Sequence, residues 1–159
     1  MVCLKRLDLS KMHDYISLIN GKFSKKVSVL DRGLSYGDGL FETMTWSHTI
    51  HDNFVGVEFW SRHLERLNTS CSKMKIEMPL KKVLEKYKIK ILKKSLSTGL
   101  KEGILKIIIT RGVGGRGYKF EKNIAPTIIF LSFPKVPVEK KFLNKGVNLK
   151  FCTSPIFIN

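Results

Sequence analysis

Leu105-Lys106-Ile107-Ile108-Ile109-Thr110-Arg111-Gly112-Val113-Gly114-Gly115-Arg116-Gly117-Tyr118 joins an isoleucine-rich run to a loop with glycine at 112, 114, 115 and 117. The β-branched run predicts a buried central strand. The glycines lose much conformational freedom on folding, so such a loop persists where backbone passes close to something or adopts positive φ. Arg111 and Arg116 flank it with forked donors suited to carboxylate or phosphate, and Tyr118 could cover a ring or donate a hydrogen bond. Two readings stay open: a loop facing an anionic small molecule, or a flexible hairpin with two solvated arginines.

Outward from this stretch the pattern alternates between the periods of strands and helices. Residues 1–17 form an N-terminal extension, and 18–159 a single domain. Asn20-Gly21 between two short runs predicts a hairpin, with Leu18, Ile19, Phe23, Val27 and Val29 as its apolar face. A strand is expected over 39–46, after the Gly37-Asp38-Gly39 corner. A helix is expected over 58–74, where Phe59, His63, Arg66, Leu67 and Ser70 recur at spacings of three and four. A second helix runs from Met78 to about Ser97, with Pro79 in its first turn, Gly99 as its stop and a stripe of Val83, Leu84, Tyr87, Ile91 and Leu92. Strands are expected over 104–110, 127–133 and 147–152. The predicted fold class is α+β, a mostly antiparallel sheet flanked by two helices.

The chain has 159 residues, enough for one domain with a hydrophobic core. No apolar run approaches the roughly 20 residues that span a bilayer, and no signal-peptide core follows Met1, so a cytoplasmic protein with no membrane partner is expected. Cys3, Cys71 and Cys152 fit no zinc or disulfide spacing. His13, His48, His51 and His63 show no ligand spacing, so no metal is expected. With 29 basic and 13 acidic residues the net charge is +16, which raises nucleic acid as a partner. The lysines are spread along the chain without a recognition motif, so no nucleic-acid role is expected.

Asp31-Arg32-Gly33-Leu34-Ser35-Tyr36-Gly37-Asp38-Gly39-Leu40-Phe41-Glu42-Thr43 is a second marked segment. Asp31 is expected to bond backbone amides, Arg32 to pair with an acid, and Asp38 to form a turn. Glu42 and Thr43 point to opposite sides of a strand, and one of them could enter a pocket. In His63-Leu64-Glu65-Arg66-Leu67, Arg66 is expected near the buried side of its helix. There its guanidinium needs an anionic partner. A carboxylate of the same domain is the favoured partner, a ligand phosphate the alternative.

Together these segments resemble the N-terminal half of class IV pyridoxal-phosphate enzymes, a group that includes branched-chain and D-amino-acid aminotransferases and aminodeoxychorismate lyase. The 110–118 segment resembles the bacterial aminodeoxychorismate lyase branch. The resemblance implies pyridoxal 5'-phosphate as cofactor and conversion of 4-amino-4-deoxychorismate to 4-aminobenzoate and pyruvate, in folate biosynthesis. It implies a homodimer. It places Arg66 at the cofactor phosphate, and Tyr36, Glu42, Arg111, Arg116 and Tyr118 around the substrate. The lysine that carries the cofactor is expected beyond Asn159, in a C-terminal domain that the sequence does not include. The expectation is therefore a truncated domain, inactive alone, with a decaying gene as the favoured origin. The alternatives are a class IV aminotransferase and a basic, non-enzymatic binding module.

Overall fold

The computed structural model describes residues 15–49, 54–121, 123–135 and 140–149. Its centre is β5 (Glu102–Thr110), flanked by β3 (Gly39–Thr49) and β6 (Thr127–Pro134). β1 (Ile16–Ile19) and β2 (Lys22–Phe23) extend the sheet beyond β6, and β4 (Phe54–Val57) extends it beyond β3, giving the order β2-β1-β6-β5-β3-β4. Among the described residues every pairing is antiparallel. The fold is α+β, as the pattern predicted.

The register explains which side is buried. Ile107 faces Glu42 on one neighbour and Phe130 on the other; Leu105 faces Met44 and Ser132. Side chains alternate across a strand, so Leu18, Met44, Trp46, Leu105, Ile107, Ile109 and Phe130 share one face. That face packs against Leu64, Leu67 and Cys71 of α2 (Trp60–Met74) and Leu84, Ile91 and Leu92 of α3 (Lys81–Ser97). Burying a leucine or isoleucine this completely contributes about 1.5–3 kcal/mol. Gly103 is required where β5 passes Trp46, since a Cβ there would strike the Phe133 carbonyl oxygen.

Several expectations need correction. β1 takes in Ile16 and Ser17, which the reading assigned to the extension; residues 1–14 lie outside the described region. Of the proposed hairpin face, Leu18 is buried, but Phe23, Val27 and Val29 are exposed. The reason is that β2 is a two-residue edge strand, too short to carry an apolar face to the core. On α2 the buried stripe is Leu64, Leu67 and Cys71; Phe59 precedes the helix with φ of 50° and is exposed. β4 and the short helices α1 (Arg32–Tyr36) and α4 (Lys140–Lys145) were not anticipated. Val147 and Leu149 are exposed outside any strand, and 150–152 lie outside the described residues.

Candidate functional site

Two charged clusters stand at the β3–β5 side of the sheet. The first is built around α1. Asp31 caps that helix, its Oδ1 accepting from the Gly33 amide at 2.8 Å, and Gly37 closes it with φ of 65°. The Oδ2 atom accepts from the hydroxyls of Thr110 (3.0 Å) and Thr127 (2.6 Å), tying α1 to the ends of β5 and β6. Asp38 lies just beyond the helix and joins two buried arginines. Arg32 donates Nε to it at 3.0 Å, and Arg111 donates Nε and Nη2 at 2.7 and 3.0 Å. Burial alone would raise the Asp38 carboxyl, but its hydrogen bonds to Arg111 and Arg32 outweigh that and hold it below the usual range.

Arg111 also donates to the carbonyls of Lys75 (2.6 Å) and Met74 (2.8 Å). These belong to the end of α2, where a cation complements the helix dipole. The Phe120 ring lies 3.7 Å from its guanidinium. Arg111 lines a cleft of about 560 Å³ with Lys75, Glu77, Phe120, Glu121, Asn123 and Ile124. Its donors are thus largely committed inside the domain.

The glycine loop behaves as its composition suggested. Gly112 and Gly117 have φ of 96° and 88°, and a Cβ on Gly112 would overlap the Ala125 carbonyl oxygen. Tyr36 accepts a hydrogen bond at its hydroxyl from the Gly117 amide at 2.9 Å, and its ring stands 5.9 Å from that of Tyr118. Arg116 and Tyr118 are exposed.

The second cluster joins β3 to α2. Glu42 is only 4% exposed. It accepts from Arg66 Nε at 2.6 Å and from Arg66 Nη2, and pairs with His63 Nδ1 at 2.7 Å. Burial would raise the Glu42 carboxyl; the Arg66 and His63 hydrogen bonds outweigh it and hold the group below the ordinary value. Arg66 is not on the buried side of α2 as expected. It is 67% exposed and reaches a buried carboxylate from outside. Thr43 faces away from Glu42 and is exposed.

The structure therefore brings Glu42 and Arg66 together, and Tyr36 to Tyr118. The favoured carboxylate partner of Arg66 is present, and it leaves the Nη1 corner of the guanidinium outside the clamp. The sequence did not reveal Asp31 as a buried hub, nor His63 as a partner of Glu42. Thr110, which ends β5, and Thr127, which begins β6, are the one local signal for the former.

Residues 39–154 match the pattern of the family described as amino-transferase class IV. The chain belongs to that family. It is 34% identical over 125 residues to a provisionally assigned branched-chain-amino-acid aminotransferase of Methanocaldococcus jannaschii, covering 76% of this chain and 40% of that protein. It is 28% identical over 140 residues to the aminodeoxychorismate lyase of Vibrio harveyi, covering 88% and 48%. The crystal structure of 4-amino-4-deoxychorismate lyase from Pseudomonas aeruginosa superposes with a TM-score of 0.66 at 32% identity, over 82% of this chain and 44% of that one. The chain spans less than half the length of these curated relatives. Among the described residues, no helix is long and apolar enough to cross a membrane.

Proposed function

We propose that this chain is the N-terminal part of a pyridoxal-phosphate-dependent aminodeoxychorismate lyase, which releases pyruvate from 4-amino-4-deoxychorismate and leaves 4-aminobenzoate. The observation that carries the cofactor assignment is the Arg66 guanidinium. It is exposed, held along its Nε–Nη2 edge by buried Glu42, and turned by that clamp into a pre-oriented anion donor. This donor set fits the phosphate end of the cofactor.

When bound, pyridoxal phosphate supplies an electron-withdrawing ring. The residues of this chain bind and orient. Arg66 holds the phosphate and Glu42 keeps Arg66 aimed. Arg116 would meet a substrate carboxylate, and the paired rings of Tyr36 and Tyr118 would offer it an aromatic surface. Arg111 lines the neighbouring cleft and anchors the loop to the end of α2. None of these residues is assigned the amine that would carry the cofactor. A cytoplasmic homodimer belongs to the same reading.

The lyase assignment is supported by the 110–118 segment and by the likeness to the Pseudomonas aeruginosa lyase. The archaeal aminotransferase relative favours amino transfer as the second reading. A chimera distinguishes them: this chain replaces the matching part of the Pseudomonas aeruginosa lyase. Release of pyruvate and 4-aminobenzoate supports the lyase. Amino transfer to a 2-oxo acid without pyruvate release favours the aminotransferase. A folded chimera that binds the cofactor and does neither ends the proposal.

A further inference from the structure

We propose that Arg32 is a positioning residue for the 115–118 segment, and that it, more than the glycines, decides where Arg116 and Tyr118 stand. Arg32 is 2% exposed, and one edge of its guanidinium is fixed by Asp38. Three of its four remaining donors go to the loop. Nη1 donates to the carbonyls of Gly115 (3.3 Å) and Gly117 (3.0 Å), and Nη2 to that of Tyr118 (3.2 Å).

One face of the cation is covered by the Tyr36 ring, 4.5 Å from Cζ, and the same tyrosine accepts from the Gly117 amide. Residues 115–118 are themselves exposed, so no buried side chain of their own holds them. Their carbonyls converge on one buried cation instead. Gly114 supports this from the other direction. A Cβ there would come within 2.9 Å of Arg32 Cδ, so the arginine stem passes where only glycine leaves room. The planar fork is what reaches three carbonyls at once. A lysine keeps the charge beside Asp38 but lacks that geometry.

The functional consequence rests on the reading of Arg116 and Tyr118 as substrate-facing; the structural role stands without it. The test uses the chain itself, by amide exchange and backbone relaxation. In the parent protein the Gly117 amide, which donates to the Tyr36 hydroxyl, is expected to exchange slowly. Arg32→Lys is expected to speed exchange at Gly117 about tenfold or more, and to lower order parameters over 115–118 below about 0.6, with Ile107 and Phe130 unchanged. Should Arg32→Lys not fold, Gly114→Ala presses on the same stem from a half-buried position and is expected to loosen 115–118 alike. A loop that keeps its order in every variant that folds overturns the proposal. In the chimera, Arg32→Lys is expected to raise the substrate KM with kcat nearly constant. If Arg116→Ala there leaves KM untouched while the loop loosens on Arg32→Lys, the substrate reading fails and the role of Arg32 survives.

Discussion

Glu42, sealed beneath the sheet face, holds the guanidinium of a largely solvent-exposed residue, Arg66, with Nε 2.6 Å from Oε1. The carboxylate also accepts the second guanidinium nitrogen and faces His63. A buried anion orients a cation whose outer corner remains for a ligand. Glu42→Gln is therefore expected to weaken retention of pyridoxal phosphate in the chimera about tenfold, the scale of one charge-assisted hydrogen bond. Arg66→Ala is expected to weaken it at least as much. Equilibrium dialysis measures both. Unchanged retention in Arg66→Ala refutes the phosphate assignment.

Asp38 bridges two buried arginines, so its removal strands two positive charges away from water. Asp38→Ala is expected to destabilise the fold by about 3–5 kcal/mol. Urea unfolding of the chain measures this. A loss below about 1 kcal/mol would mean that solvent reaches both guanidinium groups.

Gly112 and Gly117 share positive φ but differ in surroundings: a Cβ strikes backbone at Gly112 and meets nothing within 4 Å at Gly117. Gly117→Ala should cost about 1–2 kcal/mol, the left-handed penalty alone. Gly112→Ala should cost distinctly more, because the Ala125 carbonyl must also move. Equal losses in thermal melts would show that φ, and not the clash, governs both sites.

The carboxyls of Glu42, Asp38 and Glu85 are all held below their ordinary values. In each case burial pushes upward and is outweighed by cationic and hydrogen-bonding neighbours: Arg66 and His63, Arg111 and Arg32, Lys88 and Trp60. A carboxyl with a depressed folded pKa binds fewer protons folded than unfolded. Its stabilisation is thus complete above the unfolded value of about 4 and is lost as pH falls through the folded value. Unfolding free energy is expected to decline below about pH 5. Glu42→Gln and Asp38→Asn should each flatten that decline. Parallel pH profiles for parent and variants would contradict the assignment.

The two helices and the central strand were legible because their apolar spacing is a local property. The 104–110 and 127–133 runs appear as β5 and β6, and the Leu84–Leu92 stripe is the buried side of α3. Where the reading failed, a local pattern met a nonlocal constraint. Val27 and Val29 follow an edge strand of two residues and find no core to enter. Phe59 matched the helical period but sits ahead of α2 in a left-handed conformation.

By itself the sequence determined the strand-forming runs, the helical stripes, the glycines that tolerate positive φ and the family likeness. It did not determine which charges meet. Arg111 and Asp38 are 73 residues apart, and Thr127 and Asp31 are 96 apart. Only the antiparallel order of the sheet brings the ends of β5 and β6 to α1. It also lays α2 across β3, so that Glu42 lies within reach of Arg66. Hydrophobic periodicity is written in neighbours along the chain. The partner of a buried charge is chosen by whichever distant segments the folded backbone carries within about 3 Å of it.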